Sequence, residues 1–258
     1  MRGATRSAVL AAAAVAVAAV VGFLGACGSD EGTKASTATV FAAASLTESF
    51  DEIGSAFSAA HPDAHVTFSF DASSARVTQI GQGAPADVFA SADEANMQKL
   101  ADADENAGDP VVFATNALEI IVAAGNPKRI TSVADLANPD VTFVTAAPGV
   151  PIGKYTQQVL DSAGVTVAPV SLEQSVKGIV TKVTAGEADA GIVYKTDVIA
   201  AGDDAEGVEI PDDINVIAKY PIVVTKDAPN AATGQAFIDF VLSRQGQEIL
   251  AAHGFEAP

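Results

Sequence analysis

The hydroxyl of Ser45 stands where an apolar run, Val40-Phe41-Ala42-Ala43-Ala44, gives way to a helical pattern. Leu46, Phe50, Ile53 and Phe57 recur at helical spacing, and Ser45 with Glu48 has the S-x-x-E spacing of a capping box. A buried strand that ends in a hydroxyl at a helix start brings unpaired N–H groups to the positive end of the helix dipole, which favours negative charge. One such junction is explained by helix capping alone, but this chain repeats it. Residues 65–70 alternate as a strand, stop at Asp71-Ala72-Ser73-Ser74 and pass into a second helical pattern. Residues 141–145 read as a strand that runs into a Gly/Pro-rich loop, residues 146–153, and then a helix carrying Tyr155, Val159 and Leu160. A brief strand at Ala168-Pro169-Val170 leads through Ser171-Leu172-Glu173-Gln174 to a helix bearing Val176, Ile179, Val180 and Val183. Tyr194 closes a further apolar strand, residues 188–194. In open α/β sheets the ligand crevice lies beyond the carboxyl ends of the strands, so four helix starts are expected to face one cleft.

Other chemistries fit the residues less well. Gly149 to Lys154 has three residues between its glycines where a P-loop has four, and Tyr155 stands where a Ser or Thr is needed. His61, His65 and His253 show no metal-ligand spacing. No G-x-S-x-G occurs, so Ser45 lacks the setting of a hydrolase nucleophile. The formal net charge of −18 argues against nucleic acid, whose binding needs a basic face, and leaves any anion site to local dipoles working against the global field.

Several elements must position these groups. Residues 1–26, with Arg2 and Arg6 ahead of an Ala-rich apolar run, have the layout of a secretory signal peptide. Leu24-Gly25-Ala26-Cys27 resembles the lipobox of bacterial lipoprotein precursors, which implies cleavage before Cys27 and a diacylglycerol on its thiol; two acyl chains suffice for stable membrane attachment. Cys27 is the single cysteine, so no internal disulfide forms. Residues 27–38 read as the lipidated Cys and a small, polar, flexible tether. Beyond it, strand and helix patterns alternate, which predicts an α/β fold with largely parallel sheets flanked by helices. Extended stretches at 111–114 and 118–123 are expected to cross between two lobes, with a return crossing at Tyr220-Pro221 between strands at 214–218 and 222–224, and one closing helix over 231–252. The expected division is lobe I at 39–115, an inserted lobe II at 116–219, and the return to lobe I at 220–258.

Longer blocks carry a family likeness. Phe41-Ala42-Ala43-Ala44-Ser45-Leu46-Thr47, Phe70-Asp71-Ala72-Ser73-Ser74, the run from Gly83 to Ala92, Pro151-Ile152-Gly153-Lys154-Tyr155, the run from Gly186 to Tyr194, and Gly254-Phe255 together resemble the molybdate-binding receptors of ABC importers, within the type II periplasmic-binding-protein fold. The resemblance implies an oxyanion held by neutral groups: the hydroxyls of Ser45 and Ser73, backbone N–H groups at Ile152 and Val176, and the phenol of Tyr194, with Ser74 the alternative to Ser73. Two departures stand out: Asp71 falls where the family implies a small uncharged residue, and Ile152 is bulkier than the implied Ala. Donor-only groups suit an anion with no proton, which favours molybdate, tungstate or sulfate over partly protonated phosphate, and the larger two fill a wider cage than sulfate. Asp71 could accept a phosphate proton, but an Asx turn or helix cap explains it better. The resemblance further implies an importer permease as partner, a monomer without cofactor, molybdenum present only as the bound anion, and an extracytoplasmic, membrane-anchored receptor rather than an enzyme. A sulfate or phosphate receptor, a secreted hydrolase using Ser45 or Ser73, and a purely structural surface lipoprotein are the competing readings.

Overall fold

The computed structural model describes residues 36–258; the leader, Cys27 and most of the tether lie outside them. The tether gives way to a strand earlier than residue 38, because Ser36 already pairs in register with Ala64. The first lobe contains β1 (Ser36–Ala43), a 3-10 turn (Ala44–Leu46), α1 (Thr47–Ala60), β2 (Ala64–Asp71), α2 (Ser73–Gly81), β3 (Val88–Ala90), α3 (Glu94–Asp102) and β4 (Val111–Asn116). The second contains β5 (Leu118–Ala123), a 3-10 helix (Val133–Ala137), β6 (Phe143–Ala146), α4 (Pro151–Ser162), β7 (Ser171–Glu173), α5 (Val176–Thr184), β8 (Ala190–Tyr194), α6 (Lys195–Ala201), a 3-10 turn (Gly202–Asp204) and β9 (Ala205–Glu209). β10 (Ala218–Val224), α7 (Ala231–Leu242) and α8 (Arg244–Ala252) return to the first.

Each lobe is built on a five-stranded sheet, in the orders β2-β1-β3-β10-β4 and β7-β6-β8-β5-β9. β1 runs parallel to β2 and β3, while β10 is antiparallel to both β3 and β4. β6 runs parallel to β7 and β8, while β5 is antiparallel to both β8 and β9. Each sheet is therefore parallel apart from one reversed strand, and that strand is the first to enter the lobe after a crossing. The two lobes repeat one strand order although their residues show no repeat.

The apolar run of β1 follows from its place between two strands, with Val40 and Ala42 wholly buried. Phe50 and Phe57 of α1 meet Phe237 of α7 edge-on, with ring centroids 5.6 and 5.7 Å apart. On the other face Phe41, Phe89, Met97 and Leu100 form a second cluster under α2 and α3. Lobe I is thus a sheet filled on both faces, which holds the carboxyl ends of β1 and β2 rigid.

Four sequence expectations need correction. Residues 168–170 are not a strand; the strand is β7, one step later, too short and too exposed at Leu172 to show a period. Residues 214–217 are irregular, and Tyr220-Pro221 is a bulge inside the continuous strand β10, not a crossing. Asn116 belongs to β4 and pairs with Ala218, so the crossings fall at Ala117 and before Ala218 instead of at 115/116 and 219/220. Asn215 joins the crossing segments, accepting from Leu118 N at 3.2 Å and donating to Leu118 O at 3.0 Å. The closing helix is two, broken at extended Ser243, whose hydroxyl donates to Phe240 O at 2.6 Å and accepts from Gly246 N at 3.2 Å. Gly246 permits that corner: a Cβ there would stand 2.5 Å from the Val241 carbonyl oxygen and closer still to that of Phe240.

Gly153 shows how tightly α4 seats on its strand, since a Cβ would lie 2.5 Å from the Ala146 carbonyl oxygen and closer to that of Ala147. Gly153→Ala is expected to cost about 1–3 kcal/mol, as overpacked sites do, read by denaturant unfolding.

Candidate functional site

Five strand ends supply the site. β1 ends at the 3-10 turn that holds Ser45; β2 ends at Asp71, two residues before Ser73, the first residue of α2. β6 leads to α4 and β7 to α5, and Tyr194 closes β8. Ser45, Ser73, Ile152, Val176 and Tyr194 all line one small cavity, together with Ala43, Ala44, Ala72, Ala92, Val150 and Pro151. The cavity volume of about 10 Å³ open to the centre of a water-sized sphere makes it a size for one small ion. Ser45 and Ser73 come from the first lobe; Ile152, Val176 and Tyr194 come from the second, so the cavity lies between the two sheets. Ser74 does not line it.

What the cavity offers is hydrogen-bond donors. The first N–H groups of a helix have no partner inside it, and a side chain normally satisfies one. α3 is capped by Asp93 and α8 by Ser243. The helices that open on the cavity, α1, α2, α4 and α5, carry no side-chain cap. Pro151 occupies the first position of α4 and has no N–H, which makes Ile152 N the first donor of that helix. The expected capping box at Ser45 and Glu48 is absent: Ser45 precedes α1, its Oγ lies 3.0 Å from Tyr220 Oη, and Glu48 reaches across to Lys177 instead.

The two serine hydroxyls are oriented from behind. Ser73 Oγ accepts from Ala92 N at 2.9 Å, which leaves its proton to be given elsewhere. A phenol is the better donor of the Tyr220–Ser45 pair, and donation by Tyr220 frees the Ser45 proton likewise. The Tyr194 hydroxyl is buried without a protein partner, a costly state for a polar group unless a ligand satisfies it. Tyr194 stands edge-on between Tyr155 and Tyr220, at centroid distances of 6.5 and 5.8 Å. Among the described residues, no carboxylate, ammonium or guanidinium lines the cavity. Asp71 does not, because its Oδ1 accepts from Ala72 N at 2.8 Å, a local turn bond rather than a cap of α2. The histidines are engaged elsewhere: His253 with Glu52, His61 with Phe57 O, and His65 with Ser58.

Residues 38–256 match the family of bacterial extracellular solute-binding proteins. The chain belongs to that family. It is 43% identical over 219 residues to the molybdate-binding protein ModA of Mycobacterium tuberculosis, covering 85% of this chain and 84% of the relative. Among solved structures, the periplasmic molybdate-binding protein of Azotobacter vinelandii superposes with a TM-score of 0.75 at 22% identity, over 86% of this chain and 99% of that one. The sulfate-binding protein SubI of M. tuberculosis superposes with a TM-score of 0.77 at 20% identity, over 86% and 87%. At those identities the two structures establish the fold alone, and the fold is common to receptors of different oxyanions.

This solute-binding protein carries charge just outside the neutral wall. Lys177, next to Val176, places Nζ 2.8 Å from both carboxylate oxygens of Glu48 and 3.2 Å from Asp197 Oδ1, the last off the line of a good hydrogen bond. Asp197 is wholly buried, and its Oδ2 accepts from Tyr194 N at 3.4 Å. Burial pushes its carboxyl up to about 6, against the opposing pull of Lys177. Burial would lower the Lys177 ammonium, but Asp197 and Glu48 outweigh it and hold it raised. The pattern in the residues pointed to neither Tyr220 nor this trio: Tyr220 reads as a core aromatic, and the three charges belong to separate helix starts.

All three tyrosines are pushed above the ordinary phenol value, chiefly by burial. An alkaline absorbance titration should therefore show no tyrosinate at pH 10, where a free phenol is half ionised, and a single late step on unfolding. Asp197 sets a second expectation. Between about pH 4 and 6 the folded protein keeps a proton that the unfolded chain has released, so stability falls as pH rises through that window. Asp197→Asn should lack this fall, and the difference across the window, from urea midpoints, should reach about 1–3 kcal/mol.

Proposed function

We propose that this chain is an extracytoplasmic receptor that captures molybdate, or the near-identical tungstate, between its lobes and delivers it to an ABC importer. The observation that carries this is the convergence of Ser45, Ser73, Ile152, Val176 and Tyr194 on one ion-sized cavity with no charged side chain in its wall. A tetrahedral dianion offers only acceptors, and two hydroxyls, a phenol and helix N–H groups can all donate to it. A buried charge must be fully hydrogen-bonded, and bonds to a charged acceptor are the strong kind. The 43% identity with the M. tuberculosis ModA supports molybdate as the preferred anion.

The site is built to bind and not to turn over substrate. Ser45 and Ser73 are engaged by Tyr220 and by a backbone N–H, and neither hydroxyl has a histidine partner that would make it a nucleophile. Cys27 would tether the receptor to the membrane through its lipid after loss of residues 1–26, and the importer's permease would take the anion from the opened monomer.

Titration calorimetry with molybdate, tungstate, sulfate and phosphate tests the proposal. Tight binding of the first two, weaker binding of sulfate and none of phosphate is the expected order; absence of tight molybdate binding would reject it. Asp71→Ala should leave molybdate affinity within about threefold, a change under 1 kcal/mol, because its carboxylate is turned to Ala72.

A further inference from the structure

Three helices that begin within a turn of a cavity residue carry the members of a single charged trio. Glu48 lies three residues after Ser45 in the first turn of α1; Lys177 follows Val176 in α5; Asp197 lies three residues after Tyr194 in α6. Glu48 belongs to the first lobe, and Lys177 and Asp197 belong to the second. The geometry points to Lys177 as an interlobe clasp, a positioning residue that holds the lobes closed over the bound oxyanion by gripping Glu48. The inference rests on the receptor reading above and adds a residue outside the anion's own donors.

An isolated surface ion pair would carry little. This one differs in three respects. Lys177 reaches both oxygens of one carboxylate, at 2.8 Å each. It is held in place from behind by Asp197, a carboxylate with no exposed side-chain surface that needs a counter-ion in any state of the lobes. It also spans the cleft, so it can form only when the lobes are together. On opening, Lys177 stays with Asp197 in its own lobe and Glu48 passes into water, where 42% of its side-chain surface already lies. No buried charge is left unpaired, and the clasp can be released without a large penalty. Because Asp197 pre-orients the ammonium, little side-chain freedom is lost on closing.

The sign of the effect separates a clasp from plain electrostatics. A carboxylate one turn from a cage for a dianion repels it, so removing its charge should tighten binding if Glu48 acts only through its field. A clasp demands the opposite. Glu48→Gln should raise the molybdate release rate by roughly 3- to 10-fold, and Glu48→Lys should raise it further by opposing two ammonium groups across the cleft. Release can be followed as loss of protein-bound radiolabelled molybdate during a chase with excess tungstate. The thermal midpoint of the ligand-free protein should be unchanged by Glu48→Gln, while the rise in midpoint on adding molybdate should shrink; a purely structural pair would lower the first. Faster release in the order Glu, Gln, Lys with an unaltered free midpoint supports the clasp. Unchanged or slower release from Glu48→Gln, in a protein that binds molybdate, overturns it and leaves the receptor reading intact. Failure of the unaltered chain to bind molybdate overturns both.

Discussion

A doubly charged ion can leave water only where its hydration shell is replaced donor for donor, and the cavity between the two lobes is walled by groups that can donate. The chain is strongly acidic, so it cannot rely on a positive field to draw the ion in. Its cavity offers local dipoles: helix starts without capping side chains, a Ser73 hydroxyl that accepts from Ala92 N behind it, a Ser45 hydroxyl paired with Tyr220, and one buried phenol without a partner among the described residues. Four helix starts of a kind that a side chain normally caps are left open around the cavity. Two helices that begin elsewhere, α3 and α8, are capped by Asp93 and Ser243.

The topology follows from that requirement. Only parallel strands deliver successive helix starts to one edge, and both sheets are parallel apart from the strand that enters after each crossing. Two lobes joined by two crossing segments place donors on opposite sides of the cavity. Asn215 fastens those segments to each other at the point where the chain passes between the sheets. Charge is kept about one turn away from the cavity, where Lys177 pairs with Glu48 and Asp197.

The candidate site, as a shared cavity, was legible in the sequence to the extent that it is local. A strand end, a hydroxyl and a helix start are neighbours in the chain, and Ser45, Ser73 and Tyr194 each sit at such a place. The S-x-x-E pattern at Ser45 misled, because the hydroxyl found a partner 175 residues away that no spacing announces. Lys177 and Glu48 are likewise 129 residues apart. In the fold, the buried helices and central strands were visible as periodic apolar runs, whereas β9 and β7 are short strands at sheet edges with exposed or polar residues and no pattern to read. The break between α7 and α8 was hidden because the apolar spacing continues across Ser243; only a backbone collision at Gly246 marks the corner.

The central claim is that the cage is neutral and made of donors alone. Proton linkage measures this directly: molybdate is titrated into the protein at pH 8 in two buffers of very different ionisation heat. If no titrating group meets the ion, the binding heats agree and no proton is taken up or released. Heats that differ in proportion to the buffers' ionisation enthalpies, by about one proton per ion, would place a carboxylate or an amine in the cage and contradict the account.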